Sequence, residues 1–374
     1  MTRQTGRTET DFDFRRFARR LLRWHATDGR HDLPWQGEPG RLPDAYRVWV
    51  SEIMLQQTQV STVIPYFQRF MQRFPDLAAL AAAQEDDVLA YWSGLGYYTR
   101  GRNLLKAARQ LQQQFAGRFP REPQLLQTLP GVGRSTAAAI AAQAYNEPAA
   151  IMDGNVKRVL ARVHAVAGWP GRSAVSAQLW ALAEQHTPKT AAARYTQAIM
   201  DLGATVCARR QPACQRCPAA PQCHACRHGR QADYPGRQPR RAKPMRTLPV
   251  VAPLDMTTGQ LFLEQRPAVG IWAGLWSFPE LPDGLAPAAF CRSHGWRCPK
   301  AAQQALTPFK HSLTHVDFDV RPILLRVTRQ TADVTPSRES RPGEWLDPNA
   351  LGRRGVSVLV RKILDQLRAL AVLA

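Results

Sequence analysis

The sequence lacks any segment apolar enough to cross a membrane or to direct export. Nowhere in its 374 residues do about eighteen apolar residues run together, and the N-terminal MTRQTGRTETDFDFRRF has no apolar core after its basic start. Lipidation signals are missing as well. We therefore expect a cytoplasmic protein that has no membrane partner.

Acidic residues are scarce. The chain has 29 Asp and Glu against 50 Lys and Arg, and its formal net charge is +21. A surplus of this size produces a field that attracts polyanions, and nucleic acid is the natural candidate. The simpler alternative is that the charge only keeps the protein soluble.

Scattered pairs of cysteines are missing too. Five of the seven cysteines lie in one stretch, CARRQPACQRCPAAPQCHAC, from Cys207 to Cys226. Clustering in a reducing compartment favours metal ligation over a disulfide framework. The spacing alone fits zinc, with His224 or His228 as a possible ligand, about as well as an iron-sulfur cluster.

The length and the change of pattern along the chain predict more than one domain. Apolar residues recur at helical spacing from residue 11 to about 202, and VWVSEIMLQQTQVSTVIPYFQRFMQRF carries one stripe from Ile53 to Phe70. Short β-rich pieces follow Leu248 and end in an amphipathic helix. We therefore predict an all-α domain (1–226), a basic, proline-containing linker (227–247) and an α+β domain (248–374).

The segment LPGVGRST, Leu129–Thr136, predicts a hairpin between two helices. Gly131 and Gly133 tolerate positive φ and expose backbone N–H groups at a helix N-terminus. A phosphate of DNA binds such groups whatever the base sequence. A glycine pair between helices is otherwise only a turn. Arg134 and the net charge favour phosphate binding.

Two carboxylates flank this hairpin in the sequence. Glu52 is the one acid in SEIMLQQTQV, at the edge of an apolar stripe where desolvation raises a carboxyl pKa. Asp153 precedes a glycine that opens the helix of IMDGNVKRVLARV. Taken singly, Glu52 is a solvated residue and Asp153 a helix cap. Their occurrence together favours a catalytic pair.

These motifs carry a family resemblance over nearly the whole chain. LPGVGRST resembles the hairpin of the helix-hairpin-helix DNA glycosylases, the superfamily of endonuclease III. The segments around Glu52 and Asp153, with GLGYYTRGRNL between them, resemble adenine DNA glycosylases of the MutY type. The resemblance implies a multidomain fold, in which an all-α helix-hairpin-helix glycosylase domain with an iron-sulfur loop precedes an α+β Nudix-like domain.

The resemblance also implies a reaction. Cleaving an N-glycosidic bond needs a proton on the leaving group and a negative charge near the developing sugar cation. Glu52 is then the general acid that protonates adenine at N7, and Asp153 is the ionised partner. The implied substrate is double-stranded DNA with adenine opposite 8-oxoguanine or guanine, bound by a monomer at the nucleoid of a bacterial cytosol.

Further site residues follow from the same resemblance. Gln57 and Tyr97 are expected to wedge the duplex open while the adenine is flipped out. Ser135 stands where endonuclease III has a Schiff-base lysine, so the strand should stay intact. The residues that approach the adenine are Leu33, Trp35, Gln36, Val60 and Gln197. The hairpin residues that bind DNA are Leu129, Gly131, Val132, Gly133, Arg134 and Ser135.

The segment LFLEQRPAVGIWAGLWSFPELP resembles the start of the Nudix-like recognition domain of this family. A hydrolytic Nudix enzyme needs a glutamate-rich metal-binding helix, and GLAPAAFCRSHGW supplies none. We therefore expect the domain to bind 8-oxoguanine rather than hydrolyse a substrate. Leu313, Thr314 and His315 occupy the places of a Phe-Ser-His loop, so the aromatic intercalator is lost while hydrogen bonding is kept.

For the cysteines, the resemblance implies a [4Fe-4S] cluster in the loop 207–223, held by Cys207, Cys214, Cys217 and Cys223. Cys226 forms a second C-x-x-C with Cys223 and is an alternative fourth ligand. Two other functions remain open: a bifunctional glycosylase and lyase like endonuclease III, and a non-catalytic DNA-binding or redox-sensing protein.

Overall fold

The computed structural model describes residues 12–38, 40–238, 242–267, 269–329 and 343–373. Residues 1–11, from which the lack of an export signal is partly inferred, and residues 239–241 of the predicted linker lie outside these ranges. Contacts divide the chain into two compact units, residues 1–81 with 106–240 and residues 82–105 with 241–374. Within the described residues, no helix combines the length and the hydropathy that a membrane span requires.

The described part of the predicted all-α domain, residues 12–226, is helical. Three short 3-10 turns, at residues 214–216, 220–222 and 231–233, follow the π-helical turn of residues 202–206. The α-helices are α1 (Phe14–Asp28), α2 (Ala45–Leu55), α3 (Val60–Arg73), α4 (Leu77–Ala81), α5 (Glu85–Trp92), α6 (Thr99–Gln114), α7 (Pro123–Leu126), α8 (Arg134–Tyr145), α9 (Gly154–Val163), α10 (Ser173–His186), α11 (Ala192–Asp201) and α12 (His224–Arg227).

The predicted stripe from Ile53 to Phe70 is divided between two helices. α2 ends at Leu55, and Gln57 takes a φ of 58° in the left-handed region, which a continuous right-handed helix does not allow. α3 then buries a stripe of Val63, Phe67, Phe70 and Met71. Apolar spacing continued across the break by coincidence, so the sequence pattern did not reveal it.

Helix α8 lies at the centre of the first unit. Its eight residues from Ala137 to Ala144 are all buried, and six of them are alanines. Because alanine has no side chain beyond Cβ, neighbouring helices approach closely, and α2, α7 and α11 all pack against α8. The helices that carry Glu52 and Gln197 are thereby held against a rigid centre.

The second unit contains a mixed sheet in the order β3-β2-β1-β7-β4, with β5 and β6 paired to β7 and β8 paired to β2. Its strands are β1 (Met245–Asp255), β2 (Leu261–Gln265), β3 (Trp276–Ser277), β4 (Trp296–Arg297), β5 (Gln303–Ala305), β6 (Phe309–Ser312), β7 (Asp317–Arg329) and β8 (Gly343–Leu346). Its further helices are α13 (Pro287–Ser293) and α14 (Val358–Ala369).

The centre of this sheet is the parallel pair of β1 and β7, in register from Met245 opposite Asp317 to Asp255 opposite Val327. The other strand pairs are antiparallel. One buried cluster contains residues of β1, β2, β7 and α14, so α14 packs on the sheet. This architecture is the predicted α+β domain.

Residues 82–105 pack with the C-terminal part of the chain, although the sequence grouped them with the helical domain. The Ser93 hydroxyl and the Tyr98 hydroxyl both donate to the carbonyl of Val356, at 2.6 and 3.1 Å. Arg354 forms an ion pair of 2.9 Å with Asp86. The second unit therefore includes α5, the loop that carries Tyr97, and the start of α6.

Candidate active site

Glu52 lies on α2, half-buried between the fully buried Ser51 and Ile53. Its Oε1 accepts a hydrogen bond of 3.0 Å from Nε2 of Gln143 on α8. Burial raises the pKa of Glu52 from 4.5 to about 7, against the lowering effect of the Gln143 hydrogen bond, and the charge of Asp153 adds to the rise. A carboxyl with this pKa holds a proton at near-neutral pH for a substantial part of the time.

Asp153 is the N-cap of α9. Its Oδ1 accepts a hydrogen bond of 2.8 Å from the backbone N–H of Val156. Burial raises its pKa, and that effect exceeds the lowering by backbone hydrogen bonds from Val156 and Asn155 and by the charges of Arg158 and Lys157. Asp153 is therefore a helix cap, as the simpler interpretation held, and at the same time a half-buried carboxyl whose charge acts on Glu52.

The hairpin connects α7 to α8 as predicted. Leu129 and Val132 are buried and anchor it, whereas Gly131 and Gly133 are exposed. Gly131 has a φ of 79°, which explains why a glycine stands there, and Gly133 caps α8 without a side-chain hydrogen bond. The backbone at this helix start is suited to an anion.

The next two residues have partners within the protein. The guanidinium of Arg134 forms an ion pair with Glu184 and lies 3.8 Å from the centre of the Trp180 ring. The hydroxyl of Ser135 accepts a hydrogen bond of 2.9 Å from the backbone N–H of Met152, next to Asp153. Ser135 thus ties the hairpin to the chain that presents Asp153.

Hydrogen bonds link several of the residues predicted to approach the adenine. Gln36 accepts from the N–H of Leu33 at 3.1 Å and donates to the carbonyl of Arg30 at 2.9 Å. Gln197 donates to Asp201 at 2.8 Å, and the buried Asp201 pairs with the Arg30 guanidinium at 2.5 Å. This network brings Gln36 and Gln197 together.

The other two pocket candidates lie outside that network. Trp35 is buried with its ring edge-to-face against Phe67, 5.4 Å between centroids. Val60 is half-buried at the first position of α3. Sequence reasoning missed Asp201, although it is the one acid in an apolar stretch, IMDLGATV, which is the signal that pointed to Glu52.

The two predicted wedge residues share an unusual backbone. Gln57 in the first unit and Tyr97 in the second are both exposed, and both take a positive φ, 58° and 49°. Such angles are uncommon for residues other than glycine, asparagine and aspartate, and they mark turns, caps or functional sites. Each residue is thereby presented to solvent at a sharp turn.

The predicted recognition residues lie in the turn between β6 and β7. Thr314 and His315 are exposed, whereas Leu313 is half-buried and packs against the core of the second unit. The hydroxyl groups of Thr314 and Tyr97 are hydrogen-bonded to each other at 2.9 Å. The second unit thus joins a predicted wedge residue to a predicted recognition residue 217 positions away.

The clustered cysteines surround one cavity. Its walls also include Arg162 and Gln231, whose side chains donate to the sulfurs of Cys207 and Cys214 at 3.3 and 3.5 Å. All the cysteines are free thiols. The cysteines that line the cavity are Cys207, Cys214, Cys217, Cys223 and Cys226.

Several cysteine thiols around one cavity are the kind of donor set that an iron-sulfur cluster uses. Within the described residues, no three Cys, His, Asp or Glu side chains are grouped closely enough for one metal ion. N–H donors to the sulfurs, such as those of Arg162 and Gln231, are typical of such sites.

Comparison with known proteins relates this geometry to a family. Residues 50–185 match the profile of the HhH-GPD superfamily base excision DNA repair proteins, and residues 251–366 match a NUDIX domain. An adenine DNA glycosylase of Rattus norvegicus is 36% identical over 94% of this chain and 78% of its own length. One of Buchnera aphidicola subsp. Schizaphis graminum is 32% identical over 93% of this chain and 98% of its own.

The chain belongs to the adenine DNA glycosylase family. This membership confirms the resemblance seen in the sequence, the class of enzyme and the fold class, a helix-hairpin-helix domain followed by a Nudix-like one. A solved structure of a thermostable thymine-DNA glycosylase is 27% identical, with a TM-score of 0.51 over 57% of this chain and 97% of its own. The helical half of this adenine DNA glycosylase family member thus has the fold of a related base-removing enzyme.

Proposed function

We propose that the chain removes adenine mispaired with 8-oxoguanine or guanine in double-stranded DNA and leaves the strand uncut. The observation that carries this proposal is the pair Glu52 and Asp153, two half-buried carboxyls that are desolvated in unlike surroundings. Glu52 accepts one amide hydrogen bond, whereas Asp153 caps a helix, where ionised carboxylates are favoured. Paired carboxyls whose environments differ are suited to acid and base roles.

In this reaction Glu52 supplies the proton. With a pKa of about 7, its carboxyl holds a proton near neutral pH and transfers it to N7 of the flipped adenine as the N-glycosidic bond breaks. The charge of Asp153 stabilises the sugar cation, and water attacks C1′ to complete the hydrolysis. The products are free adenine and a strand with an abasic site.

The strand stays intact because the hairpin offers no amine at the decisive position. Ser135 carries a hydroxyl, and that hydroxyl accepts a hydrogen bond from the N–H of Met152. A Schiff base with the opened sugar requires a lysine or an N-terminal amine. If the chain were instead a bifunctional glycosylase and lyase, the assay below would show strand breaks without alkali.

The duplex is held and opened by residues that face solvent. The exposed Gly131 and Gly133 offer backbone N–H groups to a phosphate at the start of α8. Gln57 and Tyr97 enter the stack, and the adenine is flipped toward Leu33, Trp35, Gln36, Val60 and Gln197. The net charge of +21 supplies the attraction that does not depend on sequence.

The opposite base is read by the second unit. The hydroxyls of Tyr97 and Thr314 are each other's partners at 2.9 Å, and both side chains are exposed. A hydroxyl is both a donor and an acceptor, so the Thr314 group exchanges this partner for 8-oxoguanine when DNA binds. The ring of His315 offers a further donor or acceptor.

The cysteine cavity would hold a [4Fe-4S] cluster through Cys207, Cys214, Cys217 and Cys223. The cluster would fix the loops that carry Arg209, Arg210 and Arg216, and these arginines then meet phosphate. None of the hydrolytic steps involves it. We also keep the expectations of a monomer and of a cytoplasmic, nucleoid-associated location.

The test is base release from a duplex with adenine opposite 8-oxoguanine, with and without later alkali. Duplexes with guanine or cytosine in place of the adenine serve as substrate controls. We expect free adenine from the first duplex alone and strand breaks only after alkali. Glu52→Gln should abolish release, whereas Asp283→Asn, which removes one exposed negative charge, should not.

Four results would contradict the proposal. Breaks without alkali would indicate a lyase, and release of guanine or cytosine would indicate another substrate. Full activity of Glu52→Gln would show that Glu52 is not the proton donor, whereas no release by the wild type would favour the non-catalytic alternative.

A further inference from the structure

Gln143 is an unusual residue for its place. It is the one polar side chain in the buried run from Ala137 to Ala144 of α8, and it is 5% exposed. A buried amide is costly unless it is hydrogen-bonded. Its Nε2 donates to Oε1 of Glu52 at 3.0 Å. The partner that justifies burying this amide is therefore the carboxyl of the proposed general acid.

The two side chains lie on helices that hold each other in place. Glu52 is on α2, Gln143 is on α8, and these helices pack directly together. The alanines around Gln143 leave α8 little freedom to shift, because each is already buried. Among the described residues, no donor forms a hydrogen bond with the other oxygen of Glu52, Oε2, so the carboxyl is held from one side only.

We propose that Gln143 is a positioning residue, which holds Oε1 of Glu52 so that Oε2 points to the departing adenine. This inference rests on the proposed function, because it takes Glu52 as the acid. A fixed carboxyl keeps its proton at hydrogen-bonding distance from the base, whereas a carboxyl free to rotate does so only part of the time. Gln143 itself does not contact the substrate.

The contact also has an electrostatic effect. An amide that donates to a carboxyl favours the ionised form, so Gln143 keeps the pKa of Glu52 from rising further with burial. Among the described residues, Asp153 is the one charged group that shifts this pKa. The other titratable groups on α3 and α8, the helices packed against α2, are Tyr66, Arg69, Arg73, Arg134 and Tyr145.

The test is Gln143→Met, which keeps the length of the side chain and removes the donor. The single-turnover rate of adenine release is measured against pH, with Ile140→Val on the same helix as the control. A hydrogen bond to a charged group of the usual strength corresponds to about one pH unit. We expect the fall in rate at high pH to move upward by about that amount, and the plateau rate to fall about tenfold.

A second readout does not depend on activity. The Glu52 carboxyl is followed by carbon-13 NMR in protein labelled at glutamate, and its resonance is assigned by its loss in Glu52→Gln. We expect its titration to move to higher pH in Gln143→Met and in a second variant, Gln143→Leu, and to stay in place in Ile140→Val. A merely structural role of Gln143 would leave both the titration and the pH limb unmoved.

The outcomes distinguish a failure of the positioning role of Gln143 from a failure of the proposed role of Glu52. The positioning role is wrong if neither the titration of the Glu52 carboxyl nor the fall in rate at high pH moves in the two Gln143 variants, even if Glu52→Gln is inactive. Full adenine release by Glu52→Gln would instead remove Glu52 from the reaction, and the part of the proposed function on which this inference rests would be wrong. A shift in Ile140→Val equal to that in Gln143→Met would also overturn the role, because it would assign the effect to general loosening of α8.

Discussion

Glu52 and Asp153 lie among buried helices of the first unit, whereas Thr314 and His315 are exposed in a turn of the second. Burial raises the pKa of both carboxyls, and each has a hydrogen-bond partner within its own unit. Among the described residues, the exposed Thr314 has one side-chain hydrogen-bond partner, the hydroxyl of Tyr97. The difference fits the two proposed tasks, because a proton donor needs a fixed, desolvated carboxyl and a group that recognises a base must be able to change its hydrogen-bond partner.

The largest effect on this comparison is expected from Asp153→Asn. Asparagine caps a helix about as well as aspartate, so the start of α9 should keep its stability while the charge is lost. We expect adenine release to fall by about 100-fold or more, and the thermal midpoint to stay close to that of the wild type. Single-turnover kinetics and a thermal melt measure the two. If Asp153→Asn keeps its activity, Asp153 acts only as the N-cap of α9.

The response to pH should separate the two regions as well. The pKa of Glu52 is raised to about 7, so its protonated form prevails below that pH and is lost above it. A reaction that needs this proton should slow about tenfold for each pH unit above about 7. Recognition through the Thr314 hydroxyl has no ionisable group and should not follow this curve. Rates and binding to a substrate with an uncleavable adenine nucleotide, both measured from pH 6 to about 9, provide the check.

A smaller effect is expected from Thr314→Ala. The variant removes one hydroxyl from an exposed loop, so it should weaken the preference for 8-oxoguanine over guanine about fivefold, the worth of one ordinary hydrogen bond. The plateau rate of adenine release should not change. Competition between the two duplexes measures the preference. A loss of rate with unchanged preference would place Thr314 in the chemistry instead.

The smallest effect is predicted for Cys226→Ser. Four irons take four thiolates, and Cys226 is the fifth cysteine around the cavity. We expect the iron content per chain to remain at the wild-type value, whereas Cys214→Ser should lower it. Loss of iron in Cys226→Ser would show instead that Cys226 is the fourth ligand. Equal zinc content in the wild type, Cys226→Ser and Cys214→Ser would contradict the proposal of an iron-sulfur cluster.

Local motifs predicted the elements that a short stretch determines. The hairpin of Gly131 and Gly133, the cap at Asp153 and the strand segments of the second half all follow from residue types within a few positions. The break at Gln57 did not, because the apolar spacing continues through it. Its positive φ is a property of the folded backbone that no side-chain pattern encodes.

Contacts between distant residues were beyond sequence reasoning for a different reason. Gln143 meets Glu52 across 91 positions, and Tyr97 meets Thr314 across 217. A glutamine in an alanine-rich helix gives no sign of which helix it will face. The membership of residues 82–105 in the second unit has the same origin, since it depends on bonds to Val356 and Arg354.

We propose that chemistry and base recognition reside in different regions of the chain. One variant tests it most directly: Glu52→Gln, assayed for adenine release and for binding to a duplex with adenine opposite 8-oxoguanine. We expect adenine release to be lost and binding to stay within about threefold of the wild type, because the exposed loop that carries Thr314 and His315 is unchanged. Loss of both activities in a folded variant, or retention of both, would contradict it.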